Sequence, residues 1–467
     1  MNFIFNRTLA IFVKVFLLLT CCSFSAIGQV GENDLDYLSK EFHAGRRDAL
    51  RKLMADSSVA VFFSGSIKNR SNDIDYEYHQ DPDFYYLTGL NEPGAILFVF
   101  KNEVEIAGEL GNEILFVKER NPKTERWTGT LLGTSGGKQQ LGFQKVFSSD
   151  DFLDFNLNFS IYKKIYVLDK KSEDGVVAIN KQFAQKLLVA KVISDSYFLK
   201  ESMSHLREEK LPEEVTLLKK AISITCNAIT EAMKGIEPGM KEYNAEAIVE
   251  YIFKSQGAED FGYPSILGGG ENSCILHYAS NRKKLFTNDL LLCDVGAEYH
   301  GYSADVTRTF PINGKFSEEQ KNIYTIVLDA QNAGISKCKP GEDFRSPHNA
   351  AMEVIQKNLL KLGIIKTPGE VSKYFFHGTS HYLGLDVHDV GMYGKLKPSN
   401  VITVEPGIYI PFGSDCDEKW WGIGIRIEDD VLITDTEPDV LSSCVPKTIA
   451  EIELLMKEES LFNLIKK

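Results

Sequence analysis

Four acidic residues interrupt apolar, strand-like runs in the second half of this chain, and burying them constrains everything else. Asp294 breaks Leu290-Leu291-Leu292-Cys293-Asp294-Val295-Gly296, and Asp305 follows in Gly301-Tyr302-Ser303-Ala304-Asp305-Val306-Thr307. Glu405 ends Val401-Ile402-Thr403-Val404, and Glu428 sits in Gly422-Ile423-Gly424-Ile425-Arg426-Ile427-Glu428. A lone carboxylate in such a run is satisfied at a strand end or by hydrogen bonds; buried unpaired, it is costly. The turn-like stretch Glu298 to Gly301 folds the strands carrying Asp294 and Asp305 side by side. Pro406 cannot donate to a sheet ladder, so Glu405 falls at a strand end facing a cavity. Strand alternation puts Ile423, Ile425 and Ile427 on one face and Gly424, Arg426 and Glu428 on the other. Arg426 beside Glu428 alone would read as an internal ion pair; with Glu405 at the end of another strand, a shared metal pocket is the better reading.

Three of the nine histidines, His377, His381 and His388, fall within twelve positions among glycines. Asp294, Asp305, His381, Glu405 and Glu428 together offer four carboxylates and one imidazole. Four negative charges held close raise one another's pKa unless cations sit among them, and two divalent ions cancel that charge. Oxygen-rich ligation without thiolate suits Mn²⁺, with Zn²⁺ and Co²⁺ as alternatives. Two ions roughly 3.5 to 4 Å apart activate a shared water near neutral pH, which is a peptidase nucleophile.

The 467 residues suggest two folded units, and 43% apolar content supplies large interiors. A net charge of -13 argues against a nucleic-acid surface. Residues 1–28 have a signal-peptide layout, with Arg7 before an apolar run from Leu9 to Leu19 and Ala26 and Gly28 at the cleavage point, so the mature chain is expected to be exported, periplasmic or secreted, without a membrane span. A lipid anchor at Cys21 is the weaker alternative, because Thr20 suits it poorly. Cys226, Cys274, Cys293, Cys338, Cys416 and Cys444 show no tight pairing pattern and read as buried free thiols. Residues 34–206 alternate short β-rich runs with partly helical stretches, an α/β domain. Pro212 then opens a long amphipathic run, and residues 211–460 mix helices with antiparallel strands, an α+β domain.

The motifs ILHYASN, DVGAEYHGYSADVTRTFP, HGTSHYLGLDVHDVG, VEPGIYI and GIGIRIEDD resemble the pita-bread metallopeptidases, family M24, and within them the aminopeptidase P branch. The upstream YEYHQDPDFYYLTGLNEPGA is similar to that branch's N-terminal domain. The resemblance implies a ribonuclease-H-like first domain, a pita-bread second domain, and release of the first residue from peptides with proline second. It makes Asp294, Asp305, His381, Glu405 and Glu428 the metal ligands, with Asp305 and Glu428 bridging. It implies that His277 and His388 stabilise the transition state, that Glu405 shuttles the proton, and that Tyr263, His377 and Arg426 neighbour the substrate. It also implies a homo-oligomer, dimer or tetramer, with Tyr85 placed where members lend a ring to a neighbouring subunit. An Xaa-Pro dipeptidase (prolidase) shares the ligands and is the near alternative; a non-catalytic binding module is the alternative of another class.

Overall fold

Short apolar runs in the first half become strands because their side chains alternate or bury on both faces. The computed structural model describes residues 36–462 except 156, 168–182 and 184–193, so the expected leader over residues 1–28, with Cys21, lies outside the described residues. One six-stranded mixed sheet runs, edge to edge, through Val146–Ser148, Glu109–Val117, Ile96–Ile106, Ser58–Phe63, Lys164–Val167 and Ser194–Asp195. Its register pairs Val59 with Phe100 antiparallel and with Ile165 parallel. Phe98, Phe100, Phe116, Phe152, Phe159 and Phe183 fill the core on this sheet. The helix Lys40–Leu53, N-capped by Ser39, is tied down by buried Arg47, which donates to Glu113 at 2.8 and 3.0 Å and to the Leu87 carbonyl at 2.8 Å.

Pro212 occupies the first turn of the 24-residue helix Pro212–Gly235, where its missing N–H costs nothing. Leu218, Ile222, Thr225 and Ile229 form one buried stripe of this helix, and the Thr225 hydroxyl accepts from the Ala297 N–H at 2.9 Å. The helix Glu242–Ser255 packs against it, and the later helices Glu318–Ile335 and Ser346–Leu362 pack against each other. Residues Ser39–Lys467 form one compact unit. No described helix is long and apolar enough to cross a membrane.

Two interrupted hairpins position the site. The strand Leu290–Val295 pairs with Ile266–Gly269 and Val306–Pro311; beyond Gly296 the chain pairs again, Ala297–Tyr299 against Tyr302–Ser303. His300 and Gly301, at φ 50° and 82°, form the two-residue turn expected between Asp294 and Asp305. In the second hairpin Val401–Val404 pairs with Asp429–Leu432, and Gly407–Ile410 with Ile423–Arg426. Sequence patterning reads 290–299 and 423–433 as continuous strands and ends the 401 strand at Pro406, whereas all three are interrupted. A Cβ at Gly296 would overlap the Ala304 carbonyl oxygen, and Pro406 has no N–H to donate. All four carboxylates sit in or beside these interruptions.

The thiols also depart from expectation. Cys226, buried on the long helix, is disulfide-bonded to Cys444, with Cα atoms 6.1 Å apart, while Cys274, Cys293, Cys338 and Cys416 are free. A separation of 218 residues leaves no local spacing to read.

Candidate metal centre

Interrupting a ladder frees a strand-end side chain to turn away from the sheet, and four carboxylates use that freedom here, joined by His381 from outside the strands. Asp294, Asp305 and Glu428 bring one carboxylate oxygen each within 4.8 Å of one another; His381, Glu405 and Glu428 do the same, as do Asp305, His381 and His388. Glu428 thus belongs to two groups. Asp305 also faces both ways: its Oδ1 meets the Tyr263 hydroxyl at 2.6 Å, beside Asp294, while its Oδ2 lies 3.4 Å from His381 Nε2. Glu405 Oε1 stands 3.7 Å from the same nitrogen.

The surroundings aim these groups. His381 Nδ1 lies 3.0 Å from the Tyr382 carbonyl, a contact that orients the ring with Nε2 facing the carboxylates. Thr307 Oγ1 donates to Glu428 Oε2 at 2.7 Å and accepts from Arg426 Nε at 3.2 Å. Arg426 reaches Asp294 Oδ2 at 2.5 Å through Nη2 and the Tyr409 hydroxyl at 2.9 Å through Nη1. The direct ion-pair partner of Arg426 is therefore Asp294, across the pocket, rather than the Glu428 that strand alternation suggested. His377 Nε2 meets the Tyr409 hydroxyl at 2.9 Å, and its Nδ1 lies 3.6 Å from Glu405 Oε2.

Charge in this pocket is unbalanced. Burial raises Asp294, pushes Glu405 up to about 7, and raises Glu428 well above the usual carboxylate range; nearby carboxylates reinforce each shift, against the opposing charge of Arg426. Burial lowers His381, yet Asp305 and Glu405 outweigh it and bring the imidazole to about 9. Burial, aided by Arg426, pushes His377 down to about 4. Four carboxylates facing one guanidinium call for further positive charge, and a donor set of carboxylates and one imidazole fits divalent ions.

Among the remaining expected residues, His388 is exposed and its ring lies 4.1 Å from that of His381. His277 is also exposed, outside the three ligand groups, but near enough for its charge to act on His377 and His388. Tyr263 bridges Asp294 and Asp305, at 2.5 and 2.6 Å. Tyr85 does not fit its expected role: it is 7% exposed, packed against His43 and Gly301 in this chain's own interior. Sequence reasoning missed Tyr409, Thr307 and Asp430, whose carboxylate accepts the Asp305 N–H at 3.2 Å. It also missed Glu242, fully buried, which holds the segment bearing His277 through Tyr278 at 2.8 Å and the Lys283 N–H at 2.7 Å. None of these carries a local anomaly: Glu242 opens its helix, where an acidic residue is ordinary.

Comparison with known proteins agrees with this architecture. Residues 216–435 match the model of metallopeptidase family M24, and residues 43–164 match the aminopeptidase P N-terminal domain. Xaa-Pro aminopeptidase of Escherichia coli strain K12 is 36% identical over 446 residues, covering 90% of this chain and 98% of that protein. The structure of Pseudomonas aeruginosa aminopeptidase PepP superimposes with a TM-score of 0.84 at 34% identity, over 91% of this chain and 99% of that one. Aminopeptidase P from E. coli with the inhibitor Pro-Leu does so with a TM-score of 0.83 at 35% identity, over 90% and 99%. The interrupted hairpins, the carboxylate pocket and these likenesses over nearly the whole length place the chain in metallopeptidase family M24, among its members that carry an aminopeptidase P N-terminal domain.

Proposed function

We propose that this chain is an Xaa-Pro aminopeptidase, releasing the first residue from peptides whose second residue is proline with the help of two divalent ions, Mn²⁺ foremost. One observation carries the reading: Glu428 belongs to two overlapping ligand groups and Asp305 turns one oxygen to each, in a chain that aligns with Xaa-Pro aminopeptidases over nearly its full length. Asp294, Asp305 and Glu428 would hold one ion, and Asp305, His381, Glu405 and Glu428 the other. Such a pair supplies Lewis acidity and a water of lowered pKa.

The chain's own groups do the rest. His277 and His388, exposed at the pocket, donate hydrogen bonds to the oxygen of the scissile carbonyl as charge develops on it. Glu405 takes a proton on a carboxylate oxygen from the attacking water and passes it to the departing proline nitrogen. Proline contributes no N–H at the scissile bond, so peptide recognition cannot use that donor. The linked contacts of Glu405, His377, Tyr409, Arg426 and Asp294 brace one wall of the pocket. Export is proposed on the N-terminal composition, and the Cys226–Cys444 disulfide supports it, because such bonds persist in oxidising compartments. Assembly as a homo-oligomer is proposed on the family resemblance alone.

The deciding experiment assays the purified chain on Xaa-Pro-Yaa and Xaa-Pro peptides after chelation, then after Mn²⁺ or Zn²⁺ readdition. Release of the first residue from Xaa-Pro-Yaa, restored best by Mn²⁺ and nearly abolished in Asp305→Asn, is the expected result. Cleavage of the dipeptide alone would make the chain a dipeptidase, and full activity in Asp305→Asn would overturn the metal reading.

A further inference from the structure

The exposed His388 side chain rests on the ring of His381, 4.1 Å away, and the residue after it is among the most firmly held in the molecule. Both oxygens of Asp389 are taken by buried cations: Oδ1 by Arg207 Nη2, and Oδ2 by Lys210 Nζ at 2.8 Å. The three side chains are 1–3% exposed. Arg207 also donates to Asp386 at 2.8 Å and, through its other amino group, to Asp83 at 2.7 Å, on the helix Pro82–Thr88 beside the N-terminal sheet. The backbone closes the same loop, since the Asp389 N–H donates to the Tyr382 carbonyl at 2.9 Å, and a Cβ at Gly384 would overlap the Asp389 carboxylate.

An ion cluster this deeply buried is a poor way to gain stability, because apolar side chains of similar volume serve as well or better. Its distinctive property is directional: a forked guanidinium and an ammonium fix one carboxylate at two oxygens. We infer that Arg207 and Lys210 are positioning residues for His388, so that the segment joining the N-terminal sheet to the catalytic half sets where that imidazole meets the substrate carbonyl. This rests on the aminopeptidase reading for the role of His388. Asp83 extends the clamp into the N-terminal half, which thereby takes part in catalysis without touching substrate.

The test is a double-mutant cycle on an Xaa-Pro-Yaa peptide, with metal content and melting temperature measured alongside. Asp389→Asn and Arg207→Lys are each expected to lower kcat on the order of 100-fold, as for a small misplacement of a reacting group, with KM within about 2-fold and metal content unchanged. In a His388→Ala background either change should lower kcat by less than about 2-fold, because the group being positioned is gone. Losses that multiply in the double variants, or full kcat in Asp389→Asn, overturn the inference. Should Asp389→Asn fail to fold, the cycle with Arg207→Lys decides alone. A crystal structure of Arg207→Lys separates this inference from the functional reading. Displacement of the His388 ring from its place beside His381 is expected whatever the substrate, and an unmoved ring sinks the inference even if no Xaa-Pro peptide is cleaved.

Discussion

Replacing Cys444 with serine tests whether the bond between Cys226 and Cys444 forms and what it holds. In the chain-entropy account, opening a closed loop of 218 residues returns about 5 kcal/mol of freedom to the denatured chain. Unfolding entropy of about 2.1 cal/mol/K per residue gives a unit of roughly 430 residues near 0.9 kcal/mol/K, so the expected fall in Tm is about 5 °C. The loss is also local. Cys444 lies in the turn whose Val445 and Pro446 carbonyls accept from Arg308, and Arg308 in turn holds the Glu428 carbonyl at 2.6 Å and the Asp429 carboxylate at 2.7 Å. Ser442 and Lys447 donate to Asp429 from the same turn, each at 2.6 Å. Loosening it should make the reduced protein release metal at lower chelator concentration. The assay is scanning calorimetry of parent and Cys444→Ser, with and without reductant, beside thiol titration in denaturant. Reductant should bring the parent down to the variant, leave the variant unmoved, and expose two additional thiols. Equal melting of the two proteins without reductant, with no thiols gained on reduction, would refute the reasoning and restore the free-thiol expectation.

Two further perturbations follow from single side chains. Burial pushes Glu214, which accepts from the Leu211 N–H at 2.9 Å and the Tyr302 hydroxyl at 3.0 Å, up to about 7. Its folded pKa lies above the unfolded value near 4.5, so the folded state binds the extra proton; that stability is present below about pH 4.5 and is lost as pH rises through 7, by about 3 kcal/mol in all. Glu214→Gln removes the titration, so its stability relative to the parent should improve by up to that amount between pH 5 and 8; parallel pH profiles in denaturant melts would contradict this. Thr307→Val deletes the hydroxyl joining Glu428 to Arg426, and metal affinity by titration calorimetry should fall roughly 10- to 100-fold. An unchanged affinity would show that Glu428 needs no such support.

What was legible in the sequence divides along a physical line. Asp294, Asp305, Glu405 and Glu428 were visible because a charge inside an apolar strand is an anomaly at short range, and Pro406 and the His300-Gly301 turn mark backbone constraints that no distant partner can change. The break at Gly296 was not visible, because it is forced by a carbonyl from the opposite side of its own hairpin. Partners chosen by tertiary packing were hidden for the same reason: Arg426 stands two residues from Glu428 yet pairs with Asp294, 132 positions away, and Cys226 meets Cys444 across 218. Arg207 and Lys210 are the sharpest case. In Arg207-Glu208-Glu209-Lys210 they read as an ordinary solvated run at a helix end, and only burial against Asp389 marks them out. The carboxylates proposed as ligands break a local rule and stand out, whereas Arg207, Lys210 and the cystine obey local rules and become legible only once the fold brings their partners into contact.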